Sequence, residues 1–151
     1  MGSLYRSQHE LIALFKTGTA SHTNTVQLGK FGRHRSNVWS YPGVTSFGAG
    51  RDEALAMHPT VKPLALVRDA ILDVSNRGDR VLDPFLGSGT TLIACEETGR
   101  RCAGMEIDPH YVDVVIRRWQ THTGQSARLV GTDCTFDELS IQLGEGGASS
   151  R

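Results

Sequence analysis

The stretch Val81-Leu82-Asp83-Pro84-Phe85-Leu86-Gly87-Ser88-Gly89-Thr90-Thr91-Leu92 limits what the chain can fold into more than any other part of it. A short apolar segment ends on an acid, enters a glycine-rich turn and passes into a helical pattern. Glycine carries no Cβ and accepts φ > 0, so a turn of this kind lets the backbone approach a bound ligand closely. The N–H groups that open the following helix then face that ligand.

Three nucleotide-site readings compete for this turn. A phosphate-gripping loop needs Gly-x-x-x-x-Gly-Lys-Ser/Thr, and Gly89 is followed by Thr90, so that reading fails. A dinucleotide fingerprint needs a third small residue where Leu92 stands, which weakens that reading without excluding it. The third reading rests on Asp83. An acid at the strand tip repels a pyrophosphate but suits a cationic ligand, and S-adenosylmethionine carries both an ammonium and a sulfonium. Glu106 follows 23 residues later, at the end of Cys102-Ala103-Gly104-Met105-Glu106. One strand-helix-strand unit on, a carboxylate in that place accepts both hydroxyls of a ribose. Glu106 is also readable as a solvated strand-end carboxylate.

Around the turn the periodicity alternates. Leu64, Leu66, Val67, Ala70, Ile71 and Val74 form a helical stripe that opens at Pro63, predicting a helix over 63–76 that Asn76-Arg77-Gly78 ends. A second helix runs from the turn to Gly99, and a third from Pro109 through Val112, Val115, Ile116 and Trp119 to about Thr121. Helix, strand, helix, strand, helix predicts an α/β fold with a parallel sheet, its ligand crevice at the carboxyl ends of the strands where Asp83 and Glu106 fall. Glu10-Leu11-Ile12-Ala13-Leu14-Phe15-Lys16 reads as a buried strand, and Asn37–Tyr41 and Arg128–Val130 as shorter ones. Between Ala20 and Gly50 there is otherwise no sustained pattern, which predicts a functional or mobile loop, poorly ordered without a partner.

At 151 residues the chain suggests one domain, with 17 glycines pointing to a large share of loop. The net charge of zero conceals an asymmetry. Residues 1–51 hold Arg6, Lys16, Lys30, Arg33, Arg35 and Arg51 against Glu10 alone, an excess of five positive charges that the other 100 residues balance. A basic, glycine-, serine- and histidine-rich segment fits a surface facing nucleic acid, and fits a solvated loop as well. Cys95, Cys102 and Cys134 make no Cys-x-x-Cys pair, so reduced packing thiols are expected and no metal. No apolar run of about 18 residues and no signal-peptide pattern occur, which predicts a cytoplasmic chain with no membrane partner.

Three segments together resemble the cofactor half of bacterial DNA amino-methyltransferases, which methylate adenine N6 or cytosine N4. They are His-Pro-Thr-Val-Lys-Pro at 58–63, Asp-Pro-Phe-Leu-Gly-Ser-Gly-Thr-Thr at 83–91 and Gly-Met-Glu-Ile-Asp-Pro-His-Tyr at 104–111. Their order resembles the permuted class in which the catalytic motif comes first. Tyr5–Glu10 and Asn37–Gly43 resemble later parts of such methylases, including ones fused to a ParB-like domain. The resemblance implies a Rossmann-like, S-adenosylmethionine-dependent methyltransferase fold, DNA as substrate, and a place in restriction-modification systems.

Carried over residue by residue, it implies that Asp83, Pro84, Phe85, Gly87, Ser88, Gly89 and Thr90 hold the methionine part, Glu106 the ribose, and Ile107 packs on the adenine ring. Thr60 and Lys62 would lie by the cofactor carboxylate. Tyr5, Arg6 and His9 resemble a segment near the target base. Pro84 and Phe85 are equally readable as shape-setting turn residues, Lys62 as a surface lysine, and Tyr5, Arg6 and His9 as strand-entry residues. The implied organisation is a basic strand-plus-loop segment over 1–57, a cofactor-binding α/β region over 58–140 and a disordered tail over 141–151.

One piece of the family pattern is missing. Methyl transfer to an aromatic amine needs a hydrogen-bond acceptor for the NH₂ group and an aromatic face for the flipped base. The family uses Asp/Asn/Ser-Pro-Pro-aromatic, and no Pro-Pro pair occurs in this chain. Asp83-Pro84-Phe85 is committed to the turn, and Asp108-Pro109-His110-Tyr111 opens a helix. The 43 residues after Asp108 are too few for the rest of a sheet of about six strands. The expectation is therefore a partial fold, the carboxyl-terminal part of a longer enzyme or half of a split one, with the catalytic strand upstream of Met1. No catalytic residue is assigned within the chain. Its expected partners are DNA, the missing catalytic region or a partner chain, and a second copy in a homodimer. A non-catalytic cofactor- or DNA-binding module and a nicotinamide oxidoreductase are the competing readings.

Overall fold

The computed structural model describes residues 4–5, 9–30, 34–42 and 62–147. Its centre is a parallel pair, β1 (Arg80–Asp83) and β2 (Arg101–Gly104), joined through helix α2 (Thr90–Thr98). The register pairs Arg80 with Arg101, Val81 with Cys102, Leu82 with Ala103 and Asp83 with Gly104. Both strands therefore end at the same edge, where Met105 N donates to the Asp83 carbonyl at 2.9 Å.

Helix α1 (Leu64–Val74) precedes β1 and lies beside α2. Pro63 needs no acceptor for a missing N–H, and its carbonyl receives the N–H groups of Leu66 and Val67. The stripe read from the sequence turns inward at Ile71, which is buried with Ala94 and Cys95 of α2; Leu64, Val67, Val81 and Cys102 pack around them. Arg100 locks the far end of this layer, donating to the carbonyls of Thr98 (2.7 Å) and Ser75 (2.6 Å) and to the Ser75 hydroxyl. Gly99 ends α2 in the left-handed region at φ 69°, its N–H returned to the last turn.

Helix α3 (Pro109–Thr123) begins at Asp108, whose side chain accepts the N–H of His110 at 2.9 Å. It runs two residues past the expected end and stops at Gly124. Helix α4 (Phe136–Gly147) occupies residues for which a disordered tail was expected from 141 onward. Thr135 and Glu138 make a reciprocal cap: Glu138 Oε2 accepts the N–H of Thr135 at 2.7 Å, and Thr135 Oγ1 accepts the N–H of Glu138 at 3.3 Å.

Three expected strands are not strands. Residues 10–16 form no regular element and join no ladder, with Leu11, Leu14 and Phe15 at least 83% exposed. Among the described residues β1 and β2 pair only with each other, and this apolar run joins neither of their outer edges. Residues 37–41 are fixed by side chains instead. The Arg35 guanidinium lies 4.3 Å over the Trp39 ring and pairs with Asp69 and Asp73 of α1, while the Tyr41 hydroxyl donates to Asp69. Burial and the Asp69 hydrogen bond push the Tyr41 phenol above its ordinary value. Residues 128–130 contribute a single antiparallel bridge between Arg128 and Thr135. The loop expected to be poorly ordered is anchored at Thr25, whose N donates to the Asp73 carbonyl at 3.0 Å; residues 31–33 and 43–50 of it lie outside the described residues.

One face of the sheet carries this small core, and the other does not. Val81 packs inward, whereas Leu82, pointing the other way, is 66% exposed. Among the described residues no helix is long and apolar enough to cross a membrane.

Candidate functional site

The turn between β1 and α2 is built by hydrogen bonds that leave its conformation little freedom. Leu86 N donates to the Met105 carbonyl at 2.9 Å, which continues the parallel ladder one step past the strands. Gly89 N returns to the Leu86 carbonyl at 2.9 Å, closing a four-residue turn. Gly89 adopts φ +81°, and a Cβ there would stand 2.9 Å from Val115 Cγ1 of α3. Conformation and space both demand glycine at this position. On the neighbouring strand, a Cβ on Gly104 would meet Leu86 Cδ2 at 2.5 Å, so the turn seats Leu86 on bare backbone.

The two carboxylates expected at the crevice stand at its lip. Asp83 Oδ1 accepts the N–H of Phe85 at 3.0 Å, bending the chain out of β1. Glu106 lies two residues past the point opposite Asp83 and reaches sideways. Its Oε2 accepts the N–H of Gly87 at 2.8 Å, and its Oε1 those of Ile107 (2.9 Å) and Asp108 (3.0 Å). One side chain thereby fastens the tips of adjacent strands together. The bland reading of Glu106 as a merely solvated carboxylate does not describe it.

Around these acids the surface is open and apolar. Phe85 is 87% and Ile107 97% exposed, and Met105 is 63% exposed. Ser88 and Thr90 are buried. The first N–H groups of α2, for which a helix supplies no acceptors, open at the same edge.

Asp83, Pro84, Phe85, Gly87, Ser88, Gly89, Thr90, Glu106 and Ile107 thus gather at one end of the sheet. The remaining expected residues do not join them in the same way. Lys62 is held by Glu10, its Nζ lying 2.9 and 2.7 Å from the two carboxylate oxygens. Tyr5 is 82% exposed and His9 is exposed. Thr60 and Arg6 lie outside the described residues. Among the described residues, no group of three or more His, Cys, Asp or Glu side chains could hold a metal ion.

Sequence reasoning missed Arg118. From α3 its Nη1 donates to the Ser88 carbonyl at 2.9 Å and lies 3.4 Å from the hydroxyls of both Ser88 and Thr90. Burial pulls this guanidinium below its ordinary value. The signal was its spacing: three residues after Val115 on a helix, it shares the face that meets the turn.

A sequence model of the DNA methylase family matches residues 5–117. Type II methyltransferase M.Cfr9I of Citrobacter freundii is 38% identical over 88 residues, covering 58% of this chain and 27% of that protein. DNA adenine methyltransferase YhdJ of Escherichia coli K12 is 43% identical over 91 residues, covering 60% of this chain and 30% of that one. The matched part thus spans between a quarter and a third of the length of these curated relatives. Among solved structures, M1.HpyAVI in complex with SAM is 44% identical over 40% of this chain and 30% of its own, with a TM-score of 0.40. At that score the superposition does not bear on the geometry of the site.

Proposed function

The chain belongs to the DNA methylase family of the N6/N4 type, and on that premise we propose that it is the cofactor-binding portion of a DNA methyltransferase. The proposed reaction moves a methyl group from S-adenosylmethionine to the exocyclic amine of adenine (N6) or cytosine (N4) in DNA. One observation carries this reading: Asp83 and Glu106 emerge from adjacent parallel strands onto one glycine turn, with Glu106 closing on Gly87 at 2.8 Å. The residues fit the ligand. Two carboxylates suit an ammonium and a ribose diol, the glycine turn admits close backbone approach, and exposed Ile107 and Phe85 offer apolar cover for a purine ring.

When bound, S-adenosylmethionine supplies an electrophilic methyl group on a sulfonium. The work of this chain is to hold it. Asp83 and the turn through Thr90 take the methionine end, Glu106 the ribose, and Ile107 the adenine face. Thr60 and Lys62 complete the carboxylate side, Lys62 by exchanging Glu10 for the ligand. The basic excess of residues 1–51 faces DNA phosphates, with Tyr5, Arg6 and His9 on the side of the target base.

The Asp-Pro-Pro-aromatic motif that accepts the amine's hydrogen bond is absent from this sequence, so a further polypeptide segment supplies it and the chain alone does not methylate DNA. Organised this way, residues 1–57 belong to the target side and 58–140 to the cofactor side. A cofactor-holding module that acts only with a partner chain is the second reading, favoured by the exposed apolar run at 11–15.

Titration with S-adenosylhomocysteine tests the proposal. Stabilisation by RT ln(1 + [L]/Kd), about 2.7 kcal/mol at roughly 100 Kd, is expected, with none from NAD. Absence of a shift at saturation defeats the cofactor reading. Labelled methyl groups appearing in DNA incubated with this chain alone defeat the claim that catalysis needs another segment.

A further inference from the structure

Arg118 is a half-buried cation whose partners are all neutral. It donates to one carbonyl and lies beside two hydroxyls, and among the described residues no carboxylate pairs with it. Withdrawing a guanidinium from water without an anion is unfavourable, and an apolar side chain of similar length would fill the same space at less expense. A role in packing alone does not account for an arginine here.

Its contacts show what the charge acts on. The turn from Leu86 to Gly89 is tied to β2 on one side, through Leu86 N to Met105 and Gly87 N to Glu106. On the other side, Arg118 takes the Ser88 carbonyl, while Val115, one helical turn earlier, fills the space a Cβ on Gly89 would need. Peptide 88–89 is therefore gripped from both sides. Without the guanidinium the Ser88 carbonyl, in a buried residue, would lose its donor, and peptide 88–89 would be held only at its other end, where Gly89 N donates to the Leu86 carbonyl.

We propose that Arg118 is a positioning residue for the methyl-donor site: from α3 it fixes peptide 88–89, and so aims the glycine turn at the methionine end of the ligand. This rests on the cofactor reading above. The charge acts through the backbone and touches no reacting atom.

The full chain and its variants R118K, R118Q and R118M are compared by calorimetric titration with S-adenosylhomocysteine, with thermal unfolding of each measured without ligand. R118M and R118Q are expected to raise Kd about tenfold or more, the loss of one charge-assisted hydrogen bond. R118K keeps a cationic donor and is expected to stay within about threefold of the original. A purely structural role would lower the melting temperature yet leave the folded variants binding with unchanged Kd, and that result in either R118M or R118Q overturns the proposal. If R118M does not fold, R118Q against R118K decides it, and equal Kd values for the two overturn it as well. Failure of the unaltered chain to bind removes the cofactor reading and this inference together, whereas binding with Arg118-independent affinity removes only this one.

Discussion

Glu106 accepts the N–H of Gly87 at 2.8 Å, so a side chain at the tip of β2 holds a backbone group that leaves β1. Its second oxygen is occupied by Ile107 and Asp108. Glu106→Gln keeps the shape but turns an NH₂ group toward one set of donors. Such a change is expected to lower unfolding free energy by about 1–3 kcal/mol and to weaken S-adenosylhomocysteine binding. Chemical denaturation and titration read the two effects separately, and an unchanged midpoint with unchanged Kd would take Glu106 out of both roles.

Gly89→Ala combines two penalties. The left-handed backbone costs about 1–2 kcal/mol for a residue with a Cβ, and the clash with Val115 about 1–3 kcal/mol. The double variant G89A/V115A removes the clash and leaves the backbone term. It is expected to unfold at a higher temperature than the sum of the separate G89A and V115A effects predicts. Strict additivity of the two single changes would show that Val115 does not confine this glycine.

The cap of α4 depends on pH. Hydrogen bonds from the backbone and hydroxyl of Thr135 hold the Glu138 carboxyl below its ordinary value of 4.5. Its folded-state value is the lower one, so its contribution is present above about pH 4.5 and is lost as pH falls through the depressed value. Helical chemical shifts over residues 136–143 are expected to hold above about pH 4.5 and to weaken as pH falls below it. The same titration in E138Q should be flat through that range, and a matching decline there would assign the effect to another group.

Thiol chemistry separates the cysteines. Burial, followed by its neighbour Cys95, pushes the Cys102 thiol up to about 12. At pH 8 its thiolate is then about one part in ten thousand. Cys95 is also raised, chiefly by burial. Iodoacetamide at that pH is expected to alkylate Cys134 first, as peptide mass mapping would show. Modification of Cys102 at a comparable rate would mean that the core between α1, α2 and the sheet opens readily.

The strand-helix-strand unit was legible because its punctuation is chemical. Pro63, Gly89, Gly99 and Asp108 each mark a boundary by a backbone requirement local to a few residues, whereas the end of α3 at Gly124 lay two residues beyond the one expected. The placement of Asp83 and Glu106 followed from that unit. Residues 10–16 and 37–41 were misread because strand identity is settled by a partner edge, which local sequence does not contain. Helix α4 was missed although Thr135-Phe136-Asp137-Glu138 spells a capping box, since the Gly147-Ala148-Ser149-Ser150 end has the composition of a disordered tail. Arg118 and Arg100 escaped notice because an arginine on a helix or strand end looks like any solvated cation until its carbonyl partners are known.

Leu82 on the uncovered side of β1, and Leu11, Leu14 and Phe15 on the run before it, leave greasy surface in the open. Surface of that sort is what holdase chaperones and quality-control proteases recognise, and it drives clumping when crowded. Shielding those side chains is expected to slow both clumping and turnover of the molecule.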